Sequence, residues 1–567
     1  MTFDAAFPMA VTEDVGWLAA VDEAINTAFA RPTEIFSSIV FFPITIGDVS
    51  FPAVVAWLIL AGIVCTIYFG VPQLRGLKVG YEVVRGRYSS KDDPGEVPHF
   101  QALTSALSGT VGLGNIAGVG AAMALGGPGA TFWMICAGLI GMATKFAECT
   151  LGVKYREVHE DGTVSGGPFK YLPIAFRKLG RIPAKILTGI FAVAILIFGL
   201  AGGNMFQANQ TFAQVQNVTG GEDGFLGSAG AALIFGLVLA FFVAIVILGG
   251  IKSIGATTSR LVPAMGGIYV LACLFVIIVN VEQVPAAFGA IISGAFNPQG
   301  IAGGILGVLI VGFQRASFSN EAGVGSAAIA HSAVKTRRPV SEGFVALYEP
   351  LVDTVLICTM TALAIVIAGA PSLQAGIDQV QGGGDTPDGV ILTSDAFATV
   401  LPWFPIVLAI AVILFAYSTL ITWSYYGLKA WEFLFGRGKV AELTYKIIFL
   451  FFTVTGCVLT FSQVISFADA ALFVCAFVNL LGVYFLLPRH QAGDARLPGR
   501  PPERQAPHPR HREGRAAGRE VVRVHVVRLR AGKAPAPRSL GRAQRVIREL
   551  LAASTDSGGT WPIRFPR

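Results

Sequence analysis

Charged side chains are scarce in this sequence. Asp, Glu, Lys and Arg together make up 14% of its 567 residues, whereas about 25% is usual for a soluble domain. The apolar residues, 53% of the chain, are gathered into runs of roughly 18 or more, the length that crosses about 30 Å of hydrocarbon as a helix. The scarcity of charge excludes an ordinary soluble protein and predicts an all-α membrane protein that crosses the bilayer many times.

Motifs that carry enzyme chemistry are also missing. The seven cysteines stand singly inside apolar runs, with no spacing that indicates a metal site or a disulfide framework. The sequence has no P-loop, nucleophile elbow or cluster of His, Asp and Glu. Its GLGN stretch also lacks the strand and helix of a dinucleotide-binding turn. We therefore expect neither an enzyme nor a bound cofactor.

The N-terminal segment, residues 1–50, lacks the basic start of a secretory signal peptide. It holds one Arg against seven acidic residues, and we expect it to lie outside the cell. Within it, the apolar spacing of residues 15–29 suits either a helix in the membrane interface or a plain surface helix.

Lysine is nearly absent from the end of the chain. Residues 488–567 contain 17 Arg, one Lys and six acidic residues, so this tail carries +12 while residues 1–487 carry −5. It is either a disordered basic tail that binds anionic lipid or nucleic acid, or the product of a reading-frame shift in a GC-rich gene. The exclusion of lysine favours the frameshift. We predict no defined fold beyond about residue 490 and expect no nucleic-acid partner.

Apolar runs predict eleven membrane-spanning helices, and the loop charges test that number, because Lys and Arg in short loops mark the cytoplasmic side. The connections alternate between neutral or acidic and basic, the basic ones being 72–100, 154–185, 252–260, 335–338 and 429–439. This alternation places the N-terminus outside and the C-terminus in the cytoplasm of a protein in the plasma (inner) membrane. The predicted helices are 53–71, 101–127, 130–153, 184–207, 228–249, 261–280, 302–332, 343–369, 396–428, 445–461 and 464–487.

Two glycine-rich stretches resemble each other across the chain. Residues 108–120 read SGTVGLGNIAGVG, residues 319–328 read SNEAGVGSAA, and a shift of 205 positions aligns six identical residues. Chance matches of Gly and Ala arise in a membrane protein of this composition. By the loop charges, however, the two helices run in opposite directions and lie five crossings apart, which favours an inverted repeat of five plus five helices. The extra helix is then in residues 51–75, the first repeat in 100–282 and the second in 300–487.

Both stretches are expected to interrupt a helix inside the membrane. Gly112 and Gly114 weaken the first helix, and the second carries polar residues at membrane depth, namely Arg315, Ser317, Ser319, Asn320 and Glu321. Irregular backbone is tolerated there only inside protein or along a wet cavity. Close helix packing explains Gly118 and Gly120, but not the polar residues. A broken helix exposes amides that attract a carboxylate and carbonyls that ligate a cation.

Six segments of residues 50–487 together resemble the alanine or glycine:cation symporter family (sodium:alanine symporters). This family belongs to the amino acid–polyamine–organocation superfamily, which shares the leucine-transporter fold. Leu113 stands where the family usually has Thr or Ser, and Ile135 where it often has Trp. The segments are ALTSALSGTVGLGNIAGV, GGPGATFWMICAGLIGMATKFAE, GGPFKYL, GNMFQANQ, RASFSNEAGVGSAAIAHSAVKT and DTVLICTMTAL.

The resemblance implies roles for individual residues. It implies a substrate site formed by Thr110, Gly112, Gly114, Asn115, Gln207, Ser319, Asn320 and Trp423. It implies a sodium ion near Thr110, Asn115, Ser418 and Thr419. Coupling or gating is expected to involve Arg315, Glu321 and Asp353.

Several of these residues have structural alternatives. Trp423 is either a wall of the substrate pocket or an anchor at the membrane interface. The hydroxyls of Ser418 and Thr419 either ligate sodium or bond back to their own helix. Asp353 serves either structural pairing or transport chemistry. Arg315 is expected to neutralise Glu321 across the break, as a structural pair or as a gate.

Two further charged positions look structural. Lys145 and Glu148, three residues apart, are expected to form an ion pair near the cytoplasmic end of their helix. His331, at a helix end, is expected to have a structural role.

The function that the resemblance implies is sodium-driven import of alanine, glycine or a similar small neutral amino acid by alternating access. Gly and Ala around the breaks leave little room for a branched side chain, so we expect Gly, Ala and Ser to be preferred over Leu or Phe. A proton-coupled transporter that titrates Glu321 or Asp353, and a passive channel, stay open as alternatives. The expected partners are the amino acid, sodium as the coupling ion, and the lipid bilayer.

Overall fold

The computed structural model describes residues 31–46, 49–90, 92–160, 163–228, 230–297 and 303–490. These residues are mostly helical, as the apolar runs predict, with two small antiparallel hairpins. The predictions made for residues 15–29 and for the tail after residue 490 lie outside the described residues.

The first group of elements begins with a short helix and a strand hairpin that leads directly into the next helix. Proline precedes or starts several of these helices, where its missing N–H costs no hydrogen bond. In order they are α1 (31–40), β1 (Pro43–Ile46), β2 (Val49–Pro52), α2 (Ala53–Tyr68), α3 (Pro72–Arg75), α4 (Leu77–Val84), α5 (His99–Thr110), a 3₁₀ turn (Leu113–Asn115), α6 (Ala117–Gly126), α7 (Ala130–Lys154), β3 (Glu157–Val158), β4 (Val164–Ser165) and α8 (Pro168–Ala175).

The second group contains the longest helix of the N-terminal half, α12. The connection predicted at 281–300 contains an apolar helix instead, which was overlooked because its run is too short to span a bilayer. In order the elements are a 3₁₀ turn (Phe176–Leu179), α9 (Arg181–Leu200), a π-helical segment (Ala201–Met205), α10 (Phe206–Val218), a 3₁₀ turn (Gly221–Asp223), α11 (Ala231–Ile247), α12 (Gly250–Val279), a 3₁₀ turn (Val281–Gln283) and α13 (Val284–Phe296).

The third group includes the second interrupted helix. The single helix predicted at 396–428 is two helices, because Pro402 and Pro405 end one and start the other. In order the elements are α14 (Gly304–Asn320), α15 (Ala327–His331), α16 (Pro339–Ala346), α17 (Tyr348–Pro350), a π-helical segment (Leu351–Cys358), α18 (Thr359–Ala368), α19 (Pro371–Gln381), α20 (Gly389–Ala398), α21 (Phe404–Phe435), α22 (Lys439–Val458) and α23 (Phe461–His490).

Membrane crossing is supported by helix length and apolar character. Among the described residues, seven helices are long and apolar enough to cross a bilayer, and α5 with α6, bent by 56° at a break, makes an eighth. Large apolar side chains on α11, α12 and α13 are exposed, which suits contact with acyl chains rather than water. Examples are Ile234, Phe241, Leu271, Ile278 and Ile292.

The interior of the bundle is built around α7, which packs against α2, α14, α15 and α16. Helix α5 packs against α12 and α21, and α9 packs against α21 and α23. The glycine-rich stretches therefore lie among long helices, and every residue from 108 to 124 and from 315 to 334 is buried. Such positions shelter irregular backbone from lipid.

Candidate functional site

The first break separates α5 from α6. Helix α5 ends at Thr110, Gly112 is extended with φ −132° and ψ −153°, and a single 3₁₀ turn precedes α6. Neighbouring side chains approach closely here, since a Cβ on Gly112 would lie 2.5 Å from Thr419 Oγ1. The interruption predicted in this helix is confirmed.

The second break separates α14 from α15, and it is confirmed as well. Glu321, Gly323 and Gly325 adopt left-handed conformations with φ of 54°, 95° and 88°. This conformation is easy for glycine but costs roughly 1–2 kcal/mol for a residue with a Cβ. The Glu321 carboxylate accepts a hydrogen bond from Ser326 Oγ beyond the break, which helps to hold the strained backbone.

The two breaks touch each other inside the bundle. A Cβ on Gly114 would lie 3.2 Å from the Cα of Ser319. Asp353, in the second π-helical segment, accepts hydrogen bonds from both sides of this contact, from Asn115 Nδ2 at 2.7 Å and from Ser319 Oγ at 2.8 Å. Because Asp353 is fully buried, its carboxylate joins the two breaks into one polar centre.

The aligned asparagines of the two stretches each bond to the backbone of their own break, Asn115 to a residue before it and Asn320 to a residue after it. Asn115 Oδ1 accepts a hydrogen bond from the Gly112 amide at 3.0 Å, and Asn320 Oδ1 accepts one from the Ala322 amide at 2.9 Å. Both Nδ2 groups donate into the second π-helical segment, that of Asn320 to Thr354 Oγ1 at 2.8 Å. Each asparagine thus stabilises its own break and fixes it to the same neighbour.

Gln207 supports the first break from α10. Its Oε1 accepts a hydrogen bond from the Leu113 amide at 3.0 Å, and its Nε2 donates to the Gly202 carbonyl at 3.0 Å. In the preceding π-helical segment, Gly203 lies directly against Trp423, since a Cβ on Gly203 would lie 2.2 Å from Cγ of Trp423. The structure therefore places Gln207 at the break, as its implied role requires, with its oxygen on the backbone.

Hydroxyl groups of α21 lie beside the first break. Thr419 Oγ1 donates to the Ser108 carbonyl at 3.0 Å, and Ser108 Oγ donates to the Ser418 carbonyl at 2.7 Å. Thr422 Oγ1 donates to Ser108 Oγ at 2.9 Å. Hydroxyl and carbonyl oxygens are suitable ligands for a hard cation. Ser108 and Thr422 were not predicted, although both are polar residues within apolar helices.

Two hydroxyls that the resemblance places near sodium are bonded to their own helices. Thr110 Oγ1 lies 3.3 Å from the Ala106 carbonyl, and Ser418 Oγ lies 2.9 Å from the Phe415 carbonyl. A hydroxyl that donates its hydrogen keeps lone pairs that a cation can use. The geometry is therefore compatible with both the structural and the ligand role for these two residues.

Trp423 is a buried residue of the site and not an interfacial anchor, since only 1% of its surface is exposed. Its Nε1 lies 3.3 Å from the Gly109 carbonyl and 3.2 Å from Glu321 Oε1, so it donates toward both breaks. Its ring packs edge-on against Phe198 at 4.8 Å. The side chain therefore forms one wall of the polar centre.

Arg315 does not pair with Glu321, and this expectation is wrong. Its guanidinium forms a buried ion pair with Asp469 of α23 and lies over the Phe318 ring at 5.4 Å. Two residues six positions apart on a helix of 3.6 residues per turn lie on different faces of it. Glu321 instead accepts a hydrogen bond from Trp423. Asp469 was missed by the sequence analysis, although a lone acid in the apolar run FADAALF is a signal worth noting.

The expected pair of Lys145 with Glu148 is also wrong. Lys145 Nζ lies 3.1 Å from Glu349 Oε2, while Glu148 Oε1 accepts a hydrogen bond from Asn479 Nδ2 at 2.5 Å. Both groups are buried away from water, so each is held by a polar partner on another helix rather than by its neighbour on α7.

His331 is the centre of a buried polar chain. Its Nδ1 lies 2.5 Å from Glu342 Oε1 and its Nε2 lies 2.6 Å from Glu349 Oε1. Glu342 also bonds to His99 on α5, and Glu349 pairs with Lys145 on α7. The chain joins one half of each broken helix to α7 and α16. Neither glutamate was predicted: Glu342 lies in the polar connection before the predicted span 343–369, whereas Glu349, inside that span, is a charge at membrane depth that should have been noted.

Two helices broken side by side around a buried polar centre, in a bundle of membrane-spanning helices, define a transporter rather than an enzyme. The same fold is found among solved structures. The chain shares the fold of MhsT, whose crystal structure was determined in complex with L-phenylalanine, with 17% identity and a TM-score of 0.50. The match covers 68% of this chain and 89% of MhsT.

The chain belongs to the sodium:alanine symporter family, which it matches over residues 41–492. It is 38% identical to the sodium/alanine symporter AgcS of Methanococcus maripaludis, over 77% of this chain and 92% of AgcS. It is 33% identical to the amino-acid carrier protein AlsT of Bacillus subtilis, over 76% of this chain and 86% of AlsT. The family resemblance found in the sequence is confirmed, and the protein is an amino-acid:cation symporter of the membrane.

Proposed function

We propose that the protein is a sodium-coupled symporter that imports small neutral amino acids, chiefly alanine and glycine, by alternating access. The observation that carries the proposal is the contact of the two broken helices at Gly114 and Ser319, joined by Asp353. The sodium/alanine symporter AgcS, with its identity of 38%, supports this choice of substrate and ion.

The zwitterion of the substrate lies between the two breaks. Its carboxylate binds at the first break, among Thr110, Asn115 and the backbone of Gly112 to Gly114. The N-terminus of α6 favours an anion there, and the carboxylate takes the place of the Asn115 and Gln207 oxygens that accept the amides of Gly112 and Leu113 in this structure. Gln207 assists from α10. The ammonium group of the substrate faces the second break, where Ser319, Asn320 and Glu321 offer oxygen atoms. Trp423 closes the pocket. These roles use residues that the structure brings together from four segments of the chain.

Substrate size is limited by the glycines of the site. A Cβ on Gly114 would already contact Ser319 at 3.2 Å, and one on Gly203 would overlap Trp423. A protein interior packed this closely has no room for a branched side chain without moving its walls. Glycine, alanine and serine are therefore the expected substrates. Competition uptake in which leucine displaces labelled alanine as well as unlabelled alanine does would contradict this selectivity.

The sodium ion lies between α5 and α21, near Thr110, Asn115, Ser418 and Thr419. The carbonyl of Ser108, which accepts a hydrogen bond from Thr419 in this structure, is added as a ligand candidate. When sodium binds, the hydroxyl hydrogen of Thr419 turns away and its lone pairs face the ion. Occupation of this place ties α21 to the first break, so that ion and substrate stabilise the same local geometry.

Proton coupling is the second candidate, because two carboxylates, Glu321 and Asp353, are buried at the breaks. Sodium coupling and proton coupling are distinguished by uptake of labelled alanine into proteoliposomes. One experiment applies a sodium gradient without a pH gradient, and the other applies a pH gradient without a sodium gradient. Accumulation that needs only the sodium gradient supports sodium coupling. Accumulation driven by the pH gradient alone supports the proton. Equilibration without accumulation is the behaviour of a passive channel.

The architecture belongs to the same proposal. Eleven crossings consist of one extra N-terminal helix and two inverted repeats of five, with α5–α6 and α14–α15 as the equivalent broken helices. The N-terminus lies outside, and the basic connections and the C-terminus face the cytoplasm. Asn115 and Asn320, aligned in the two stretches, each bond to the backbone of their own break and to the same π-helical segment, which supports the repeat. Labelling of single cysteines placed in the loops, with a reagent that does not cross the membrane, tests the orientation.

A further inference from the structure

A cavity outside the site opens at one end of the bundle. It has a volume of about 440 Å³ and lies where α8, α15 and α21 meet the β3–β4 hairpin. Polar and charged groups line it, including Lys170, Lys429, Glu432 and Arg437. The hairpin and Arg437 belong to connections whose basic charge predicts a cytoplasmic location. The central site does not include any of these side chains.

Adjacent aromatic residues of α21 reach from the wall of this cavity to the polar centre. Tyr425 lines the cavity, and the next residue, Tyr426, lies with its ring 5.1 Å from that of Trp423. Tyr426 also packs against the first break, since a Cβ on Gly109 would lie 3.1 Å from its ring. Within the described residues, its buried hydroxyl has no hydrogen-bond partner. A polar group without a partner, between two polar spaces, is positioned to meet a passing polar solute.

The charges around the cavity are three cations against two carboxylates. Lys170 lies 2.5 Å from Glu157 Oε2, and this hydrogen bond holds the pKa of the Glu157 carboxyl below its usual range. Lys429 lies 3.1 Å from Glu432 Oε2, and Arg437 shares the same oxygen at 3.6 Å. Arg437 therefore has the weakest ion pair of the three cations, and its Nη2 also donates a hydrogen bond to Ser165 Oγ in the cavity wall.

These pairs are easy to rearrange. Arg437 is about half exposed at 48% and Glu432 is 19% exposed, and such partly solvated ion pairs contribute little to stability. A guanidinium that binds a carboxylate through two parallel hydrogen bonds gains more free energy than Arg437 loses when it gives up its 3.6 Å contact with Glu432. Glu432 Oε2 is then shared with Lys429 alone, which leaves the carboxylate able to accept a hydrogen bond from an ammonium group.

We propose that the cavity is a second, weaker binding site that holds the amino acid on its way out to the cytoplasm, with the substrate carboxylate on Arg437 and its ammonium group on Glu432. The inference rests on the proposed function, since it needs an amino acid that leaves the central site past Trp423 and Tyr426. The opposite charges of the cavity match a zwitterion, and the hydroxyls and carbonyls proposed to hold sodium in the central site are not part of it.

The test is protection of a cysteine in the cavity wall from a thiol reagent. Phe433 lines the cavity and is 41% exposed, so Phe433→Cys gives the reagent a target. Cys136→Ser supplies the background, because it removes the one cysteine that is not buried. The purified full chain in detergent is labelled without sodium while L-alanine is titrated. We expect L-alanine to protect the introduced thiol without sodium, and Arg437→Gln to raise the half-protecting concentration about tenfold, as loss of one charged hydrogen bond implies.

The controls distinguish binding of a zwitterion from binding of an anion or a cation alone. Arg87→Gln removes an arginine from an exposed ion pair with Glu82, and it should leave the half-protecting concentration unchanged. Alaninamide, which lacks the carboxylate, and propionate, which lacks the ammonium group, should protect less well than alanine. Inorganic phosphate that protects better than alanine, protection that requires sodium, or an Arg437→Gln variant protected like the parent would each overturn the inference.

The proposed function has its own readout in the same variants. If the parent accumulates alanine under a sodium gradient but alanine gives no protection, the central function stands and the second site is rejected. If the parent does not accumulate alanine, the proposed function fails whatever the labelling gives. With both correct, Arg437→Gln should leave the half-saturating external alanine concentration unchanged while it weakens the inhibition of uptake by alanine inside the vesicle.

Discussion

Asp353 accepts a hydrogen bond from Asn115 at 2.7 Å, across 238 positions of sequence. The second oxygen of the same carboxylate accepts one from Ser319 at 2.8 Å. The bond to Asn115 links the first broken helix to the π-helical segment, and the bond to Ser319 links the second. The shape of the polar centre therefore depends on a side chain that belongs to neither of the repeated stretches.

Asp353→Asn is the first test of this arrangement. The substitution keeps the size of the side chain but turns one acceptor oxygen into a donor, which then faces the amide of Asn115 or the hydroxyl of Ser319. Loss of a hydrogen bond to a charged group costs about 1.5–3 kcal/mol, so we expect sodium-driven alanine uptake to fall roughly ten- to hundredfold. Asp378→Asn, in an exposed pair with Gln374 on α19, is the matched control. Equal uptake by the two variants would exclude a role for Asp353 in the site.

Gly114 and Gly118 offer a matched pair of substitutions. A Cβ on Gly114 would lie 3.2 Å from the Ser319 backbone, whereas a Cβ on Gly118 has no neighbour within 4 Å. The close packing expected at both Gly118 and Gly120 is therefore wrong for Gly118, while Gly120 lies directly against Gly389. We expect Gly114→Ala to lower the maximal uptake rate severalfold, since the breaks must move apart. Gly118→Ala should be neutral or stabilising, by up to about 1 kcal/mol, because alanine favours a helix. Initial rates of alanine uptake, normalised to protein in the vesicles, decide between them. Similar losses in both variants would mean that the contact of the breaks is unimportant.

Thr419→Val tests the proposed sodium ligand. Valine preserves the shape of threonine and removes only the hydroxyl that reaches Ser108 at 3.0 Å. We expect the half-saturating sodium concentration to rise about tenfold, the effect of losing one oxygen ligand worth about 1.4 kcal/mol. Thr453→Val on α22, where the hydroxyl bonds to its own helix at Phe449, is the control. If both variants keep the sodium dependence of the parent, Thr419 does not ligate the ion.

The ion pair of Arg315 with Asp469 predicts a stability effect. Removing one member leaves an unpaired buried charge, which costs about 3–5 kcal/mol. Arg315→Met alone should therefore lower the thermal unfolding temperature in detergent. The double variant with Asp469→Leu should recover most of the loss, since an apolar pair of similar volume is tolerated. Additive losses in the double variant would show that the two side chains act independently.

Helix positions were largely predictable because an apolar run long enough to cross hydrocarbon has few other structures available. The predicted span 130–153 and the helix Ala130–Lys154 agree closely. Errors occurred where this rule is weakest. Helix α13 is apolar but short, and the predicted span 396–428 ignored the effect of proline at Pro402 and Pro405.

The residues of the breaks were predictable for a related reason. Glycine and polar side chains inside an apolar run carry a free-energy cost that a plain membrane helix does not bear. Asn115, Ser319 and Asn320 were therefore identified before their surroundings were known, and Thr110 was added through the family resemblance. Ser108 carries the same signal but does not stand out among the other hydroxyl residues of its helix.

Partners were not predictable in the same way. Arg315 was assigned to Glu321, and Lys145 to Glu148, because these acids are close in sequence. Their real partners, Asp469 and Glu349, are 154 and 204 positions away. Local spacing on a helix says which residues share a face, but it does not say what the face meets.

The sequence by itself determined that the chain crosses a membrane, that two of its helices are interrupted, and that it resembles a family of amino-acid transporters. Each of these follows from the local balance between apolar runs, glycine and polar groups. Only the tertiary structure decided that the interruptions touch and that Asp353 joins them. It also decided that Arg315 pairs with Asp469, while Glu321 bonds to Trp423. Those choices depend on how helices distant in sequence pack, because a buried charge takes the partner that the packing brings within hydrogen-bond distance.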